Sequence, residues 1–275
     1  MRVTFATEAA PGRPDRPNED FVAATLDAVV LLDGTGTPAG SESGCTHGVA
    51  WYARSLGSTL LTAMTQTAKP LPETLAEGIK AVASLHDFTC DLAHAGSPSA
   101  TVVMLRRTGD ALDWLVLADS VLVLDTADTA EPTVVCDDRE ARIGAAYRAA
   151  MDALHSGSAE HVAAHRAYVE TLRGHRNRDG GFWVASVDPL AADQALTGTI
   201  PTDRVRAAAV LSDGASRLVD RFHLATWRQA LDLLDQDGPA ELIHQVREAE
   251  RSDPHGERWP RGKAFDDATA VYCRI

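Results

Sequence analysis

Residues 100–136 read ATVVMLRRTGDALDWLVLADSVLVLDTADTAEPTVVC. The stretch holds four short runs rich in branched apolar residues, separated by polar turns at 109–110, 119–120 and 126–131. Connections this short join neighbouring antiparallel strands, because a parallel connection needs a crossover of about a dozen residues or more. The stretch therefore predicts an antiparallel meander.

Strand-like and helix-like patterns alternate on both sides of this meander. Their order predicts an α+β fold in which helices cover antiparallel sheets. No internal repeat or long linker divides the sequence, so we predict a single domain over residues 1–275. The predicted strands outside the meander are 1–7, 21–26, 28–32, 207–211 and 269–274, and the predicted helices include 47–65, 72–93, 189–196, 218–234 and 239–250.

Composition argues against several classes of protein. The 275 residues include 26 basic and 39 acidic side chains, a formal net charge of −13, so the phosphates of nucleic acids would repel the chain. No apolar run approaches the ~18 residues that a membrane-spanning helix needs. The first residues also lack the apolar core of a secretory signal. We therefore expect a cytoplasmic protein without a nucleic-acid or membrane partner.

The cysteines are widely scattered and form no CxxC pair. This spacing fits neither a zinc ribbon nor a dense disulfide scaffold. We therefore predict reduced, mostly buried thiols. The four residues are Cys45, Cys90, Cys136 and Cys273.

Four acidic motifs fall where predicted strands begin or end. A carboxylate at the end of a rigid strand, next to a glycine that allows close backbone approach, suits the oxygen coordination of a hard divalent cation. Converging carboxylates are costly unless neutralised, and bound Mg²⁺ or Mn²⁺ would offset their charge. The alternative for each motif is an ordinary turn, since Asp-Gly is a common turn sequence. The motifs are Asn18-Glu19-Asp20, Asp33-Gly34, Ser212-Asp213-Gly214 and Asp266-Asp267.

These motifs and their surroundings resemble, in sequence order, the landmarks of metal-dependent protein phosphatases of the 2C type, in a bacterial-looking form. The resemblance extends from residue 18 to residue 271, and it implies an αββα sandwich of two antiparallel sheets with a metal site at one end. The matching stretches are NEDF (18–21), VVLLDGTG (29–36), GCTHGVAWYARSLGSTL (44–60), SPSATVVML (97–105), VLADS (116–120), AVLSDGASRLVDRF (209–222) and FDDATAV (265–271).

The resemblance implies roles for individual residues. Asp33 would bridge two Mg²⁺ or Mn²⁺ ions, and Asp20 would orient the attacking water. An arginine upstream of the NED motif would hold the substrate phosphate, and both Arg13 and Arg16 remain open, with Arg16 the nearer in sequence. The other implied ligands are Glu19 and the Gly34 carbonyl for one ion, and Asp213 and Asp266 for the second.

The activity implied is hydrolysis of phosphate monoesters on phosphorylated serine or threonine by a metal-activated water, without a covalent phosphoenzyme. Two alternatives stay open. One is a catalytically impaired relative that acts as a regulatory or binding protein. The other is a phosphatase of small molecules. Activity on phosphopeptides compared with metabolites would separate the last alternative from the first.

The chain departs from the family pattern beside Asp33. Thr35 stands where eukaryotic members have a histidine that protonates the leaving group. The nearest histidine in sequence is His47, which we expect to have a structural role at the start of a helix.

A second departure concerns a third ion. Asp119 is kept and is a candidate ligand, but Ala118 replaces the glycine before it. Arg217 stands where the partner aspartate is expected, and a guanidinium opposes a cation. Asp220 is a substitute ligand. For Arg217 two interpretations remain, a contact with the substrate phosphate or a solvated arginine on a helix.

Residues 139–178 have helical periodicity and stand where the family has a variable flap near the catalytic cleft. The segment is rich in arginine, which would suit a phosphorylated or acidic partner. The alternative is a solvated helix face.

Overall fold

The computed structural model describes residues 1–12, 16–35 and 42–275, and its strands form two five-stranded antiparallel sheets. The strands are β1 (Arg2–Glu8), β2 (Phe21–Ala24), β3 (Ala28–Thr35), β4 (Ser99–Thr108), β5 (Ala111–Leu117), β6 (Val121–Thr126), β7 (Thr133–Val135), β8 (Leu196–Pro201), β9 (Val205–Leu211) and β10 (Ala268–Arg274). One sheet has the order β1-β10-β9-β6-β7 and the other the order β2-β3-β4-β5-β8. The prediction of one meander over 100–136 is therefore wrong in part: β4 and β5 are antiparallel neighbours, as are β6 and β7, but β5 and β6 belong to different sheets.

The central strands are apolar on both faces because each sheet is covered on both sides. In β3, Val29 and Leu31 belong to the core between the sheets, whereas Val30 and Leu32 pack under helices. Alternate side chains of a strand point to opposite faces. A continuous apolar run is therefore what this position in the sandwich requires.

Helices form the two outer layers. The helices are α1 (Val49–Gln66), α2 (Leu71–Ser84), α3 (Arg139–Asp152), α4 (Ala159–Arg173), α5 (Asp213–Asp220), α6 (Trp227–Gln236) and α7 (Pro239–Ser252). Helices α1 and α2 share a core with β3 and β4, and α5, α6 and α7 share one with β9 and β10. The predicted α+β class and the αββα sandwich are confirmed. The single domain over 1–275 stays a prediction.

Two predicted helices differ from the structure. The helix predicted over 72–93 ends at Ser84, and residues beyond it turn back on themselves, with the Asp91 carboxylate accepting a hydrogen bond from the Ala93 N–H at 3.0 Å. Such short side-chain to backbone bonds compete with a helix. The helix predicted over 218–234 is divided into α5 and α6, because Thr226 and Gln229 form a capping box that starts a new helix.

Strand β8 was not predicted. The helix predicted over 189–196 is a 3-10 turn, Pro189–Gln194, and β8 follows it directly as an edge strand paired with β5. Most of its side chains are exposed or half-buried. Its sequence LTGTIP therefore lacks the apolar alternation that reveals a buried strand.

The flap-like segment is helical as predicted and consists mainly of α3 and α4. Its small core contains Met151, Tyr168 and Leu172, and Ala118 from the β5–β6 turn joins it. Ala118 has a positive φ of 69°, the left-handed conformation that glycine adopts more easily. The left-handed backbone conformation thus explains why a glycine is expected at this position.

The arginines of this segment mostly contact groups of the protein itself. Arg148 donates to the Tyr168 hydroxyl at 3.1 Å, and Arg176 donates to the Ser99 hydroxyl at 2.9 Å. Arg142 and Arg173 form ion pairs within the segment. A role of these arginines in binding an acidic partner stays a prediction.

The predicted burial of the cysteines is wrong for three of the four. Cys273 is buried between the sheets, but the other three thiols are half-buried, because they lie in loops at the ends of elements. No helix within residues 1–12, 16–35 and 42–275 is both long and apolar enough to cross a bilayer.

Candidate metal centre

The predicted acidic residues converge at one edge of the sandwich. Asp20 precedes β2, Asp33 lies near the end of β3, and Asp213 is the first residue of α5, directly after β9. The Asp213 N–H donates to Asp33 Oδ2 at 3.2 Å. Asp119 lies in the β5–β6 turn and Asp266 just before β10, so both sheets contribute carboxylates to this edge.

The two Asp-Gly motifs are not turns. Gly34 lies inside β3 and Gly214 inside α5, and neither has a positive φ. A Cβ on Gly34 would lie 2.5 Å from the Glu19 carbonyl oxygen and 2.6 Å from Val49, and one on Gly214 would lie 1.9 Å from the Asp267 carbonyl oxygen. The glycines therefore allow backbone segments to meet at the acidic edge, which decides against the turn interpretation.

Asp33 is surrounded by like charge. Desolvation raises its pKa well above the usual range, and the carboxylates of Asp20, Asp213 and Asp266 raise it further. Ionised carboxylates in such a position repel each other until a cation is added.

Asp20 has the least compensated carboxylate at this edge. Burial raises its pKa to about 7. The hydroxyls of Ser212 and Thr269 lower the pKa in part. Neither oxygen of Asp20 has a hydrogen-bond partner among the described residues. Buried polar atoms without partners are rare, and a bound cation or water would satisfy them.

Asp266 differs from the other carboxylates because two cations of the protein hold it. Its Oδ2 accepts from Arg217 at 2.9 Å and its Oδ1 from Lys263 at 2.8 Å. Burial alone would raise its pKa, but Lys263 and Arg217 keep the pKa below the usual range.

Arg217 is not a solvated arginine. It is buried, and besides Asp266 it binds Glu250 of α7 at 2.8 Å. The interpretation as an exposed helix residue is wrong, because α5 turns this side chain inward between two carboxylates. A contact of Arg217 with substrate phosphate stays a prediction.

Arg16 lies at the entrance of the acidic edge. Its Nη2 is 2.5 Å from Glu19 Oε2, and both residues line a small pocket with Lys263 and Asp266. The Asp267 carboxylate accepts the Glu19 N–H at 2.8 Å and so fixes that backbone. Arg13, the other candidate for phosphate binding, lies outside the described residues.

Asp119 faces a second group of acids. Desolvation raises its pKa well above the usual range, and Glu140 of α3, Asp213 and Asp220 raise it further. Asp220 accepts a hydrogen bond from the Ser216 hydroxyl at 2.6 Å. Asp119 as a ligand of a third ion, with Asp220 as a substitute, stays a prediction.

The donor set at this edge fits hard divalent cations. Asp33, Asp213, Glu19 and the Gly34 carbonyl offer only oxygen, the ligand type that Mg²⁺ and Mn²⁺ favour. The unpartnered oxygens of Asp20 and the raised pKa of Asp33 show that the arrangement lacks positive charge. Asp266 is already compensated by Arg217 and Lys263, and it is the weakest member of the predicted ligand set.

Comparison with known families shows which family this fold belongs to. The model of the family "Protein phosphatase 2C" matches residues 13–247. The chain belongs to the protein phosphatase 2C family. The match contains four of the converging aspartates, and only Asp266 lies beyond it. The predicted family is confirmed, and members of it depend on metal ions.

Solved structures of bacterial 2C phosphatases share the fold. The Mycobacterium tuberculosis serine/threonine phosphatase PstP/Ppp has 17% identity and a TM-score of 0.58, with 100% of this chain and 98% of that chain covered. The PstP catalytic domain in complex with two manganese ions has 17% identity and a TM-score of 0.57, with 98% and 96% covered. Stp1 from Staphylococcus aureus has 14% identity and a TM-score of 0.56, with 100% and 95% covered. No curated protein matches the sequence.

Sequence reasoning missed three charged residues at or beside the acidic edge. Lys263 lies only three residues before Asp266, and its proximity to the FDD motif was the available signal. Glu140 had no signal, because nothing in the sequence shows that α3 brings it next to Asp213. Glu250 likewise depends on how α7 packs against α5.

Proposed function

We propose that the chain is a metal-dependent phosphatase of phosphorylated serine and threonine residues that uses two Mg²⁺ or Mn²⁺ ions. The observation that carries the proposal is the convergence of Asp20, Asp33 and Asp213 at one edge, where the oxygens of Asp20 have no partner among the described residues and burial raises the pKa values of Asp20 and Asp33. Membership in the 2C family supports the same chemistry. No observation favours a regulatory protein without activity.

The residues would divide the work as follows. Asp33, the Gly34 carbonyl and Glu19 would hold one ion, and Asp33, Asp213 and Asp266 the other. When bound, the ions supply Lewis acidity that activates water and offsets charge on the phosphoryl oxygens.

The remaining charged groups would orient the reactants. Both oxygens of Asp20 are unpartnered among the described residues. Asp20 would orient the water by accepting a hydrogen bond from one of its O–H groups. Arg16 would exchange its contact with Glu19 for the substrate phosphate, which a guanidinium binds in a bidentate manner.

Turnover of an aryl phosphate with Mn²⁺, Mg²⁺ or chelator tests the proposal. We expect metal-dependent hydrolysis that falls at least about 100-fold in Asp33→Asn, since even the outer partners of metal ligands are worth 10–100-fold. Asp27→Asn is the matched control, because Asp27 is an exposed turn residue paired with Arg107.

Two outcomes would contradict the proposal. Metal binding by calorimetry without turnover on any phosphate ester would favour a regulatory protein. Turnover of small phosphate metabolites with none on phosphoseryl or phosphothreonyl peptides would favour a small-molecule phosphatase.

A further inference from the structure

A second cluster of metal-ligating side chains lies away from the acidic edge, where the ends of α1 and α2 meet. Cys45 and His47 precede α1, and His86 and Cys90 follow α2. One ligand atom from each of the four residues lies within 4.8 Å of the others. The two pairs are separated by nearly forty residues of sequence, and the antiparallel packing of α1 on α2 brings them together.

Four of the six distances between ligand atoms in this cluster are close to the edges of a zinc tetrahedron. The two sulfur atoms are 3.5 Å apart, and Cys90 Sγ lies 3.3 Å from His47 Nδ1. Cys45 Sγ lies 3.6 Å from His86 Nδ1 and 3.8 Å from His47 Nδ1. Tetrahedral bonds of about 2.3 Å to sulfur and about 2.05 Å to nitrogen place neighbouring ligands about 3.4–3.8 Å apart.

We propose that Cys45, His47, His86 and Cys90 form a structural Zn²⁺ site. Two sulfur and two imidazole ligands select zinc over Mg²⁺ or Mn²⁺, which favour oxygen. Four protein ligands leave no open position, so the site would be structural. This proposal is independent of the phosphatase activity.

The surroundings of the cluster support a bound ion. The His86 ring is buried, its hydrogen bonds go to cysteine sulfur, and its Nε2 has no partner among the described residues. Trp51 stacks on His47 at 4.4 Å and lies 5.0 Å from the His86 ring. The indole therefore covers one side of the cluster, while His47 is exposed on another.

The thiols are prepared unequally for metal binding. Desolvation raises the pKa of Cys90, but hydrogen bonds from the Thr46 backbone, Thr89 and His86 outweigh it and lower the pKa to about 5. The thiolate is the form of cysteine that binds metals. Desolvation raises the pKa of Cys45, and a bound ion would deprotonate that thiol.

A zinc ion here would join two loop segments, one before α1 and one after α2. Residues 85–98 contain neither helix nor strand, and the Asp91 N–H donates to the Gly44 carbonyl at 2.8 Å. Val49 follows His47 by two residues, and its side chain packs so closely on Gly34 that a Cβ there would lie 2.6 Å from it. The ion would therefore fix the start of α1 beside the acidic edge.

The test uses the full chain produced with zinc in the medium. We expect one zinc per chain after dialysis, and after exchange with Co²⁺ the visible and near-ultraviolet bands of tetrahedral cobalt bound to thiolate. Cys45→Ser and Cys90→Ser should lose zinc and these bands. Cys136→Ser is the matched control for loss of a thiol, and Asp33→Asn shows that the ion is not in the carboxylate site, since both should keep the zinc.

Three results would overturn the zinc proposal. Only two titratable thiols in the denatured, unreduced protein would indicate a Cys45–Cys90 disulfide, although the sulfur separation of 3.5 Å is far from the ~2.05 Å of that bond. Reaction of both Cys45 and Cys90 with a thiol reagent in the native protein, with no retained metal, would indicate free cysteines. Zinc kept by the serine variants and lost in Asp33→Asn would place the ion at the acidic edge. If a serine variant fails to fold, the cobalt spectrum of the wild-type protein still shows whether a metal ion is bound to thiolates.

Discussion

Asp266 belongs to two groups of buried charges that are built in opposite ways. Towards α7, Arg217 joins Asp266 to Glu250, and Arg247 binds the other oxygen of Glu250 at 2.7 Å. Glu250 is fully buried and Arg247 is 1% exposed, yet each charge faces an opposite charge. We call these residues the paired network.

On its other side, Asp266 faces the acidic edge of Asp20, Asp33 and Asp213. Here the neighbours of each carboxylate are mostly carboxylates, and the pKa values of Asp20 and Asp33 are raised by desolvation and by those neighbours. The paired network needs nothing beyond the chain to balance its charge, whereas the acidic edge needs a cation. Charge balance thus separates a structural group from a functional one built from the same residue types.

The largest expected effect comes from unbalancing the paired network. Glu250→Gln leaves Arg217 and Arg247 buried beside a neutral group, and we expect a loss of about 3–5 kcal/mol in the free energy of unfolding. Glu248→Gln is the control on the same helix, since its ion pair with Arg251 is exposed and worth at most about 1 kcal/mol. Urea unfolding followed by tryptophan fluorescence measures both. Equal stability of the two variants would show that the network adds nothing.

At the acidic edge, removing a carboxylate should increase the free energy of unfolding instead of decreasing it. The folded-state pKa of Asp33 is above its unfolded value, so its ionisation costs stability as pH rises above about 4. In chelator at pH 8, Asp33→Asn should therefore be more stable than wild type, by roughly 1 kcal/mol for each pKa unit. Mn²⁺ at 100 times its Kd should stabilise wild type by about 2.7 kcal/mol and the variant much less.

Thermal unfolding with and without Mn²⁺ checks this reversal, with Asp27→Asn as the surface control. A variant less stable than wild type in chelator would show that Asp33 is not under electrostatic stress. A variant with the same Mn²⁺ response would place the ion elsewhere.

A smaller effect is expected at the far end of β6. Asp125 binds Arg206 at 2.6 Å and Arg228 at 2.7 Å, and these contacts outweigh burial and lower its pKa to about 2. The stabilisation that Asp125 gives the folded state is complete above its unfolded pKa of 3.8. It is lost as the pH falls through its folded pKa of about 2. Asp125→Asn should cost about 2 kcal/mol at pH 7 and nearly nothing near pH 2.

Urea midpoints from pH 7 downward measure this pH dependence, and the exposed Asp128, paired with Arg204 at 3.6 Å, gives the control Asp128→Asn. A cost of Asp125→Asn that does not change with pH would assign the loss to packing. The contrast between Asp119 before β6, whose pKa is raised, and Asp125 near its end, whose pKa is lowered, would then not be reflected in stability.

The sequence predicts the parts of the fold that local pattern governs. Strands β4 and β6 form as predicted, because both faces of these strands are buried and their apolar runs are continuous. The end of α2 and the edge strand β8 are not predicted, since tight backbone turns at Leu85 and His86 end the helix and pairing with β5 forms the strand. Neither of these backbone contacts produces a periodic pattern of apolar residues in the sequence.

The candidate site divides in the same way. Asp20, Asp33 and Asp213 were found because each lies next to a strand end in a short motif. The burial of Arg217 against Glu250 could not be predicted, because it depends on the packing of α5 on α7. The cluster of Cys45 and His86 was missed for the same reason, since no spacing rule joins positions so far apart.

Ala118 has a consequence for the modularity of this family. A left-handed alanine costs the backbone about 1 kcal/mol compared with glycine, and its methyl group returns part of that by packing with Met151 and Leu172 of the flap. The residue before Asp119 is thus adapted to the particular helices above it. A flap grafted from a relative would bring its own requirement for this position, so residue 118 belongs to the exchangeable unit even though it lies outside the flap in sequence.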